Sequence, residues 1–340
     1  MQESVLITGA NGEIGHGLIQ YLRENSDDRI ISLDINPLDK SLIPLCDDFI
    51  QADILDFESL RSMFRTHHFD KVYHLASLLS TSAEHNPELA HRVNVEGTLE
   101  LLRLSNDLSR ERDRPVCFLY PSSIAVYGIP DLQTKNSSGK VPEQDWCCPT
   151  TMYGCNKLYC EQLGTYYAEH YRQLTAAPDE VKLDFRGLRY PGLISAFTIP
   201  SGGTSDYGPE MLHHAAQDQS YDCFVRPDAR LPFMVMPDAI KAIIELASAP
   251  AANLSRRVYN VTSFSPDAAE FYALVQQAFP DAVVKFKPDT KRQGIVDSWP
   301  GDIDDSAARK DWGWQPDYDL QHAFFEYLVP NIRKRYNVTA

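Results

Sequence analysis

Basic residues are in short supply. Only 32 Lys and Arg face 47 Asp and Glu, which leaves a formal charge of −15 over 340 residues. That balance repels phosphate backbones and anionic lipid, so neither nucleic acid nor a membrane surface is an expected partner. Long apolar runs are also missing, and no stretch approaches the roughly 18 residues of a membrane span. Glu3 stands where a secretion signal would carry basic residues. The expectation is a cytoplasmic protein, with a mitochondrial matrix location compatible with a eukaryotic source.

Ordered cysteine spacing is absent as well. The seven cysteines (Cys46, Cys117, Cys147, Cys148, Cys155, Cys160 and Cys223) form an odd set without a CxxC pair or partnered His spacing. A disulfide framework and a zinc site are therefore not supported, and no metal is expected. Repeats and low-complexity tracts are lacking too. Hydrophobic residues at 43% and charged residues at 23% describe an ordinary globular chain. Its length suits two sub-domains at roughly 100–200 residues each.

What the chain does have is alternation. Short apolar runs at Val5–Ile7, Ile30–Leu33, Phe49–Ala52, Val72–Leu75, Val116–Tyr120 and Leu183–Leu188 read as buried strands. Between them, helical spacing appears after Ile14, near Phe57–Phe64, through Pro87–Leu108 and from Thr151 to Tyr171. This repetition predicts an α/β fold, a doubly wound parallel sheet with right-handed crossovers. Asp131–Gln144 reads as a polar loop. Beyond Tyr190 the pattern loosens, with helices near Pro237–Leu246 and Ala268–Ala278 and one strand-like run at Arg257–Val261. The expected division is a dinucleotide-binding domain over 1–190, joined by a returning strand near 257–261, and a smaller, mainly substrate-binding lobe over 191–330.

Between the first strand and first helix lies Thr8-Gly9-Ala10-Asn11-Gly12-Glu13-Ile14-Gly15. Gly9 would make the turn, Gly12 would admit a pyrophosphate, and Gly15 would let helix and strand pack closely. Asp34 closes the second strand about 20 residues later, where a carboxylate accepts from an adenosine ribose and repels a 2′-phosphate. NAD is thus favoured over NADP. Asp53, ending the third strand, is either an adenine contact or a turn residue.

Tyr153 and Lys157 are spaced to share one helix face. A phenol with an ordinary pKa of about 10 needs a nearby cation to act as a base near neutral pH. Ser122 and Ser123 follow the fifth strand, at the carboxyl edge where ligands of such folds collect.

With these marks the chain resembles the extended short-chain dehydrogenase/reductase superfamily, whose pattern is TGxxGxxG, a Ser or Thr after the fifth strand, and YxxxK. The resemblance implies Tyr153 as base, Lys157 as its helper and nicotinamide-ribose contact, and Ser123 as the polarising hydroxyl. It implies cofactor contacts from Gly9, Asn11, Gly12, Glu13, Ile14, Gly15, Asp34, Ile35, Asp53, Ile54, Leu75, Ala76, Asn94, Tyr190 and Leu193.

Further stretches are more particular: His74–Ser80, Pro149–Gly154, Gly202–Tyr207, Arg230–Ala239, Asp297–Pro300 and Asp311–Trp314. These look like the short-chain type of L-threonine 3-dehydrogenases. That family implies oxidation of the L-threonine β-hydroxyl by NAD to 2-amino-3-oxobutanoate, a possible hand-over to a CoA-dependent lyase, and a homodimer joined through the Asn86–Asn106 and Thr151–Tyr171 regions.

Ser80, Thr204 and Asp206 are candidate substrate contacts, or else turn caps and a loop anchor. Gly202-Gly203 suggests a segment able to close over substrate. Ile124-Ala125 after Ser123 lacks the acidic pair of a dehydratase. A nucleotide-sugar 4-epimerase and a catalytically silent NAD-binding regulator are the alternative readings. The Asp131–Cys148 and Gln173–Val181 stretches look like insertions.

Overall fold

The apolar runs become the buried strands of one parallel sheet. The computed structural model describes residues 2–175, 182–200 and 202–338. Its seven sheet strands are β1 (Ser4–Thr8), β2 (Arg29–Asp34), β3 (Asp48–Gln51), β4 (Lys71–His74), β5 (Cys117–Ser123), β6 (Asp184–Tyr190) and β7 (Val258–Asn260). They lie in the order β7-β6-β5-β4-β1-β2-β3, all parallel. β7 is the strand returned from the C-terminal half. The order reverses beside β1, which opens a crevice at the carboxyl ends of β1 and β4.

Alternation along β1 explains why both faces are covered. Val5 and Ile7 face Leu18, Ile19 and Leu22 of α1 (Glu13–Asn25), while Leu6 faces the opposite layer with Leu60, Met63 and Phe64 of α2 (Phe57–Thr66). The second layer is completed by Leu101 and Leu102 of α3 (Gly97–Glu111) and by Cys160 of α4 (Met152–Thr165). On the first face α5 (Met236–Ser248) lies beside α1, with Ile240 over Gly17. A Cβ at Gly17 would come within 2.9 Å of the Ile240 side chain.

Three expectations need correction. The fifth strand continues past Tyr120 through Pro121 to Ser123. A proline is tolerated there because β4 pairs with β5 only as far as Leu119, so beyond that point its missing N–H interrupts no ladder on that side. The segment read as a polar loop carries a helix, Leu132–Ser137, whose N-terminus is capped by Asp131 accepting from Thr134 N at 2.7 Å. It also carries the strand Lys140–Val141, paired with Asp302–Ile303. The expected continuous helix from Pro87 is interrupted by a π-helical turn, Arg92–Glu96, before α3, and α4 likewise ends in one at Tyr166–His170. Of the suggested insertion at 173–181, residues 176–181 lie outside the described residues.

The remaining C-terminal elements form a separate cluster. The helices Tyr207–Ala215 and Ala268–Ala278 pack Tyr207, Met211 and Phe271 against Phe233 and Phe324, with edge-on aromatic contacts such as Tyr207 to Phe233 at 5.7 Å. Two further short parallel pairs, Gly192–Ile194 with Phe233–Val235 and Tyr221–Cys223 with Val284–Phe286, complete it.

One contact sets how closely α4 approaches the sheet. Gly164 rests on the Phe185 ring of β6, and a Cβ there would sit 2.2 Å from a ring carbon. We expect Gly164→Ala to lose about 1–3 kcal/mol through overpacking, despite the better helix propensity of alanine. Chemical unfolding of the two proteins measures this.

Candidate active site

The crevice is built first by glycines. Gly9 turns the chain with φ +69°, and a Cβ there would lie 2.7 Å from Ala76 N. A Cβ at Gly15 would lie 2.5 Å from Ala10 O. Gly12, the residue before α1, offers no side chain to cap the helix. The first-turn N–H groups of Glu13, Ile14 and Gly15 therefore have no side-chain cap, at the positive end of the helix dipole. A cradle that a Cβ would fill, lined by such donors at the point where strand order reverses, fits a dinucleotide pyrophosphate.

Around this cradle the other expected contacts have varied surroundings. Asp34 ends β2, is 8% exposed, and accepts from Asn11 N and Asn36 N, both at 3.0 Å. The Asn11 side chain braces the following loop, donating to Pro37 O at 3.1 Å and accepting from Asp39 N at 2.8 Å. Ile35 is exposed, whereas Ile54 is buried beneath Gly97. Asp53 accepts from Leu55 N at 2.9 Å, which is turn chemistry. Asn94, in the π-helical turn, grips Leu78 through its N at 2.7 Å and its O at 3.0 Å. The Tyr190 hydroxyl donates to Ala239 O at 2.7 Å. Leu193 lies in the short strand Gly192–Ile194.

The segment after that strand crosses to the dinucleotide helix, where Thr198 donates to Glu13 in a short contact. Burial holds the Glu13 carboxyl above its usual range, partly offset by that hydrogen bond.

The expected Ser-Tyr-Lys group converges behind the cradle. Thr151 caps α4 by accepting from Gly154 N at 3.1 Å. Tyr153 and Lys157 follow in the helix. Burial raises the Tyr153 phenol, and the Ser123 hydroxyl, hydrogen-bonded to it, works in the opposite direction. Lys157 is 4% exposed and donates to Pro121 O at 2.8 Å. Its Nζ lies 4.7 Å from the centre of the Tyr120 ring and 5.5 Å from that of Tyr153. Burial pushes the Lys157 pKa down to about 8, with Cys160 and Glu161 acting against the shift. The structure thus brings Ser123, Tyr153 and Lys157 together.

The expected substrate contacts form a second group. Thr204 Oγ1 donates to Ser80 Oγ at 3.5 Å, and Thr81 Oγ1 donates to Gly202 O at 2.9 Å. Asp206 accepts from Gly203 N at 2.6 Å, which is the loop-anchor arrangement. Among the described residues no three His, Cys, Asp or Glu side chains converge as a metal site, and no helix is long and apolar enough to cross a membrane.

Sequence reasoning passed over His74 as a site residue. It is 1% exposed at the end of β4, with Nε2 at 2.8 Å from Thr98 Oγ1 and Nδ1 at 2.8 Å from Thr8 Oγ1. Thr98 gives its one proton to Asn94 O at 2.6 Å, so it must accept from His74 Nε2–H. Nδ1 then accepts from Thr8, which in turn accepts from Ala76 N at 3.3 Å. The only signal in the sequence was a His at the end of an apolar strand.

A doubly wound parallel sheet, a glycine cradle at its switch point and a converging Ser-Tyr-Lys group are the marks of the extended short-chain dehydrogenase type. The sequence profile of the NAD dependent epimerase/dehydratase family matches residues 5–262, and the chain belongs to that family. Membership carries with it a nicotinamide cofactor. The mitochondrial L-threonine 3-dehydrogenase of Bos taurus is 38% identical over 322 residues, covering 94% of this chain and 80% of that protein. Among solved structures, L-threonine dehydrogenase of Clostridium difficile superposes with a TM-score of 0.84 at 32% identity, over 98% of this chain and 99% of the other. A monomeric L-threonine 3-dehydrogenase from a metagenome, in its apo form, gives a TM-score of 0.82 at 36% identity over the same shares.

The His74 chain makes a measurable prediction. Burial, reinforced by the Lys157 charge, holds His74 neutral with a pKa near 3. The unfolded chain takes up that proton near the ordinary 6.5. Between these values the unfolded state binds one more proton, so stability falls as pH is lowered, by about 1.4 kcal/mol per unit. His74→Gln keeps one donor and one acceptor but cannot titrate. Between pH 7 and pH 4.5 it should lose about 2–3 kcal/mol less than the parent in urea unfolding.

Proposed function

We propose that this chain oxidises the β-hydroxyl of L-threonine to 2-amino-3-oxobutanoate with NAD. The observation that carries the chemistry is the Ser123–Tyr153–Lys157 group at the carboxyl edge of the sheet. Similarity to threonine dehydrogenases over nearly the whole chain supports the substrate. Ser123 holds the substrate oxygen and Tyr153 takes its proton. Desolvation makes the half-buried phenol resist ionisation, so Lys157 must supply the compensating charge. When bound, the nicotinamide accepts the hydride that leaves Cβ.

The glycine cradle, Asp34, Ile35, Asp53, Ile54, Leu75, Ala76, Asn94, Tyr190 and Leu193 serve the cofactor. Asp34 selects NAD, because its carboxylate would face the extra phosphate of NADP. Ser80 and Thr204 offer hydroxyls to the zwitterionic substrate, and Asp206 orders the loop beside them. Residues 1–190 with the returning strand hold the dinucleotide, and 191–330 build mainly the substrate side.

The protein works in the cytoplasm as a homodimer and passes its product to a CoA-dependent lyase. The exposed Leu89, Leu99, Tyr159 and Tyr166 on the Pro87–Glu111 and Met152–His170 stretches support that pairing. Light scattering giving only the 38.5 kDa species at working concentration would reject it.

The deciding assay follows NADH formation with NAD and L-threonine, L-serine or allo-threonine, with and without UDP-hexoses. L-threonine should turn over best, and competition by a UDP-hexose against threonine favours the redox-neutral epimerase reading instead. Tyr153→Phe should lower kcat by about 10²–10⁴-fold while NAD still binds. In fluorescence titrations NAD should bind about tenfold or more tightly than NADP. Equal or tighter NADP binding removes Asp34 from its assigned role.

A further inference from the structure

Glu161 takes no part in the steps above, yet it is among the most buried charges in the protein. It follows Lys157 by one helical turn, as Lys157 follows Tyr153, so the three side chains line one face of α4. Glu161 is 1% exposed. Arg189 of β6 grips its two oxygens in a fork, Nε to Oε1 at 2.9 Å and Nη2 to Oε2 at 2.6 Å. Ser122 of β5 donates to Oε1 in a short contact. Helix α4 is thereby tied to both central strands beside Pro121, the residue whose carbonyl receives Lys157.

Arg189 is itself fully engaged. Its Nη1 donates to Glu143 O at 2.6 Å and to Tyr127 Oη at 3.0 Å, and Tyr127 passes its own proton to Asn260 Oδ1 at 2.7 Å. An ion pair this deep contributes little net stability, because desolvation offsets the attraction. Its placement against the base pair points to another role.

We propose that Glu161, clamped by Arg189 and Ser122, is a positioning residue for the Tyr153–Lys157 pair: it fixes α4 over the Pro121 carbonyl and keeps the Lys157 amine cationic. The proposal rests on the reading of Tyr153 as the base. The groups that face Lys157 are Tyr153, Cys160 and Glu161 from its own helix, Tyr120 from β5 and the neutral His74 from β4. Arg189, Tyr127 and Glu143 stand behind Glu161. Of these, Glu161 is the one carboxylate on the helix that carries the base, held in place one turn beyond Lys157 by its ion pair with Arg189.

The test is the pH profile of kcat/KM for L-threonine. A carboxylate near an ammonium favours its charged form, by less when the two are not in contact. Replacing it by a neutral amide in Glu161→Gln should move the acid limb to higher pH by about half a unit. At pH 8 kcat/KM should fall about threefold and recover toward high pH. Glu161→Asp, which keeps the charge, should restore the limb.

Because Glu161→Gln strands the Arg189 charge, the double variant Glu161→Gln/Arg189→Met, which removes both, carries the same test if the single variant does not fold. A merely structural role lowers the unfolding temperature and the amplitude of the profile without moving its midpoint. An unmoved midpoint in a folded variant, with Tyr153→Phe inactive in parallel, overturns the proposal. An active Tyr153→Phe overturns the base assignment and the proposal with it.

Discussion

A buried ammonium is the constraint around which the site is arranged. Lys157 cannot keep its charge in this interior without partners. Its partners are the Pro121 carbonyl, the Tyr120 ring and the helix face it shares with Tyr153. Pro121 is well suited to the task. With no N–H of its own, and placed just past the last β4 pairing, it leaves a central strand with a carbonyl available to a side chain. The following residues, Ser122 and Ser123, then separate in role. Ser122 turns to Glu161 and Ser123 to the Tyr153 phenol. One strand end therefore supplies the acceptor for the cation, a tie to the second layer of charge, and a hydroxyl beside the Tyr153 phenol.

The cofactor side depends on close approach instead of charge. Gly9 and Gly15 allow backbone to meet backbone at distances no Cβ would tolerate. That closeness brings the start of α1 and the Leu75-Ala76 stretch after β4 to opposite sides of one crevice. His74 and Asn94 keep the far wall in place, one through two threonines and the other through Leu78. The π-helical turn at Arg92–Glu96 frees Asn94 O to accept from Thr98 and from Cys160 at 3.2 Å, which links α4 to this wall. Cradle and α4 are thus connected by hydrogen bonds through the protein.

The sheet was legible in the sequence because its strands are buried on both faces and read as apolar runs, and because each is followed by a helix with its own period. The glycine spacing and the Tyr153–Lys157 interval could be read for the same reason: they are local. Pro121 misled, since a proline ordinarily ends a central strand, and only the length of the neighbouring β4 explains why it does not here. The small strands of the C-terminal half were illegible for a different reason. Lys140–Val141 finds its partner at Asp302–Ile303, and neither two-residue strand carries any period. The Glu161–Arg189 pair left only a trace, the interval of four from Lys157 to Glu161. On a surface helix that interval would mean an ordinary solvated pair, and burial alone distinguishes the two cases.

Two titratable groups close together in this interior are driven to opposite protonation states, and each helps fix the other. Burial disfavours the charged form of both His74 and Lys157. Lys157 has a carbonyl and two aromatic rings as partners for its amine. His74 meets only two hydroxyls, one of which has already committed its proton to Asn94 O, so a neutral ring satisfies both contacts without further help. The Lys157 charge then works against a second cation at His74. A neutral imidazole leaves the Thr8 hydroxyl free to donate to Nδ1 while accepting from Ala76 N, which holds the backbone that a Cβ on Gly9 would strike. The charge that would steady a phenolate at Tyr153 thereby also favours the neutral His74 ring, whose tautomer Thr98 then fixes.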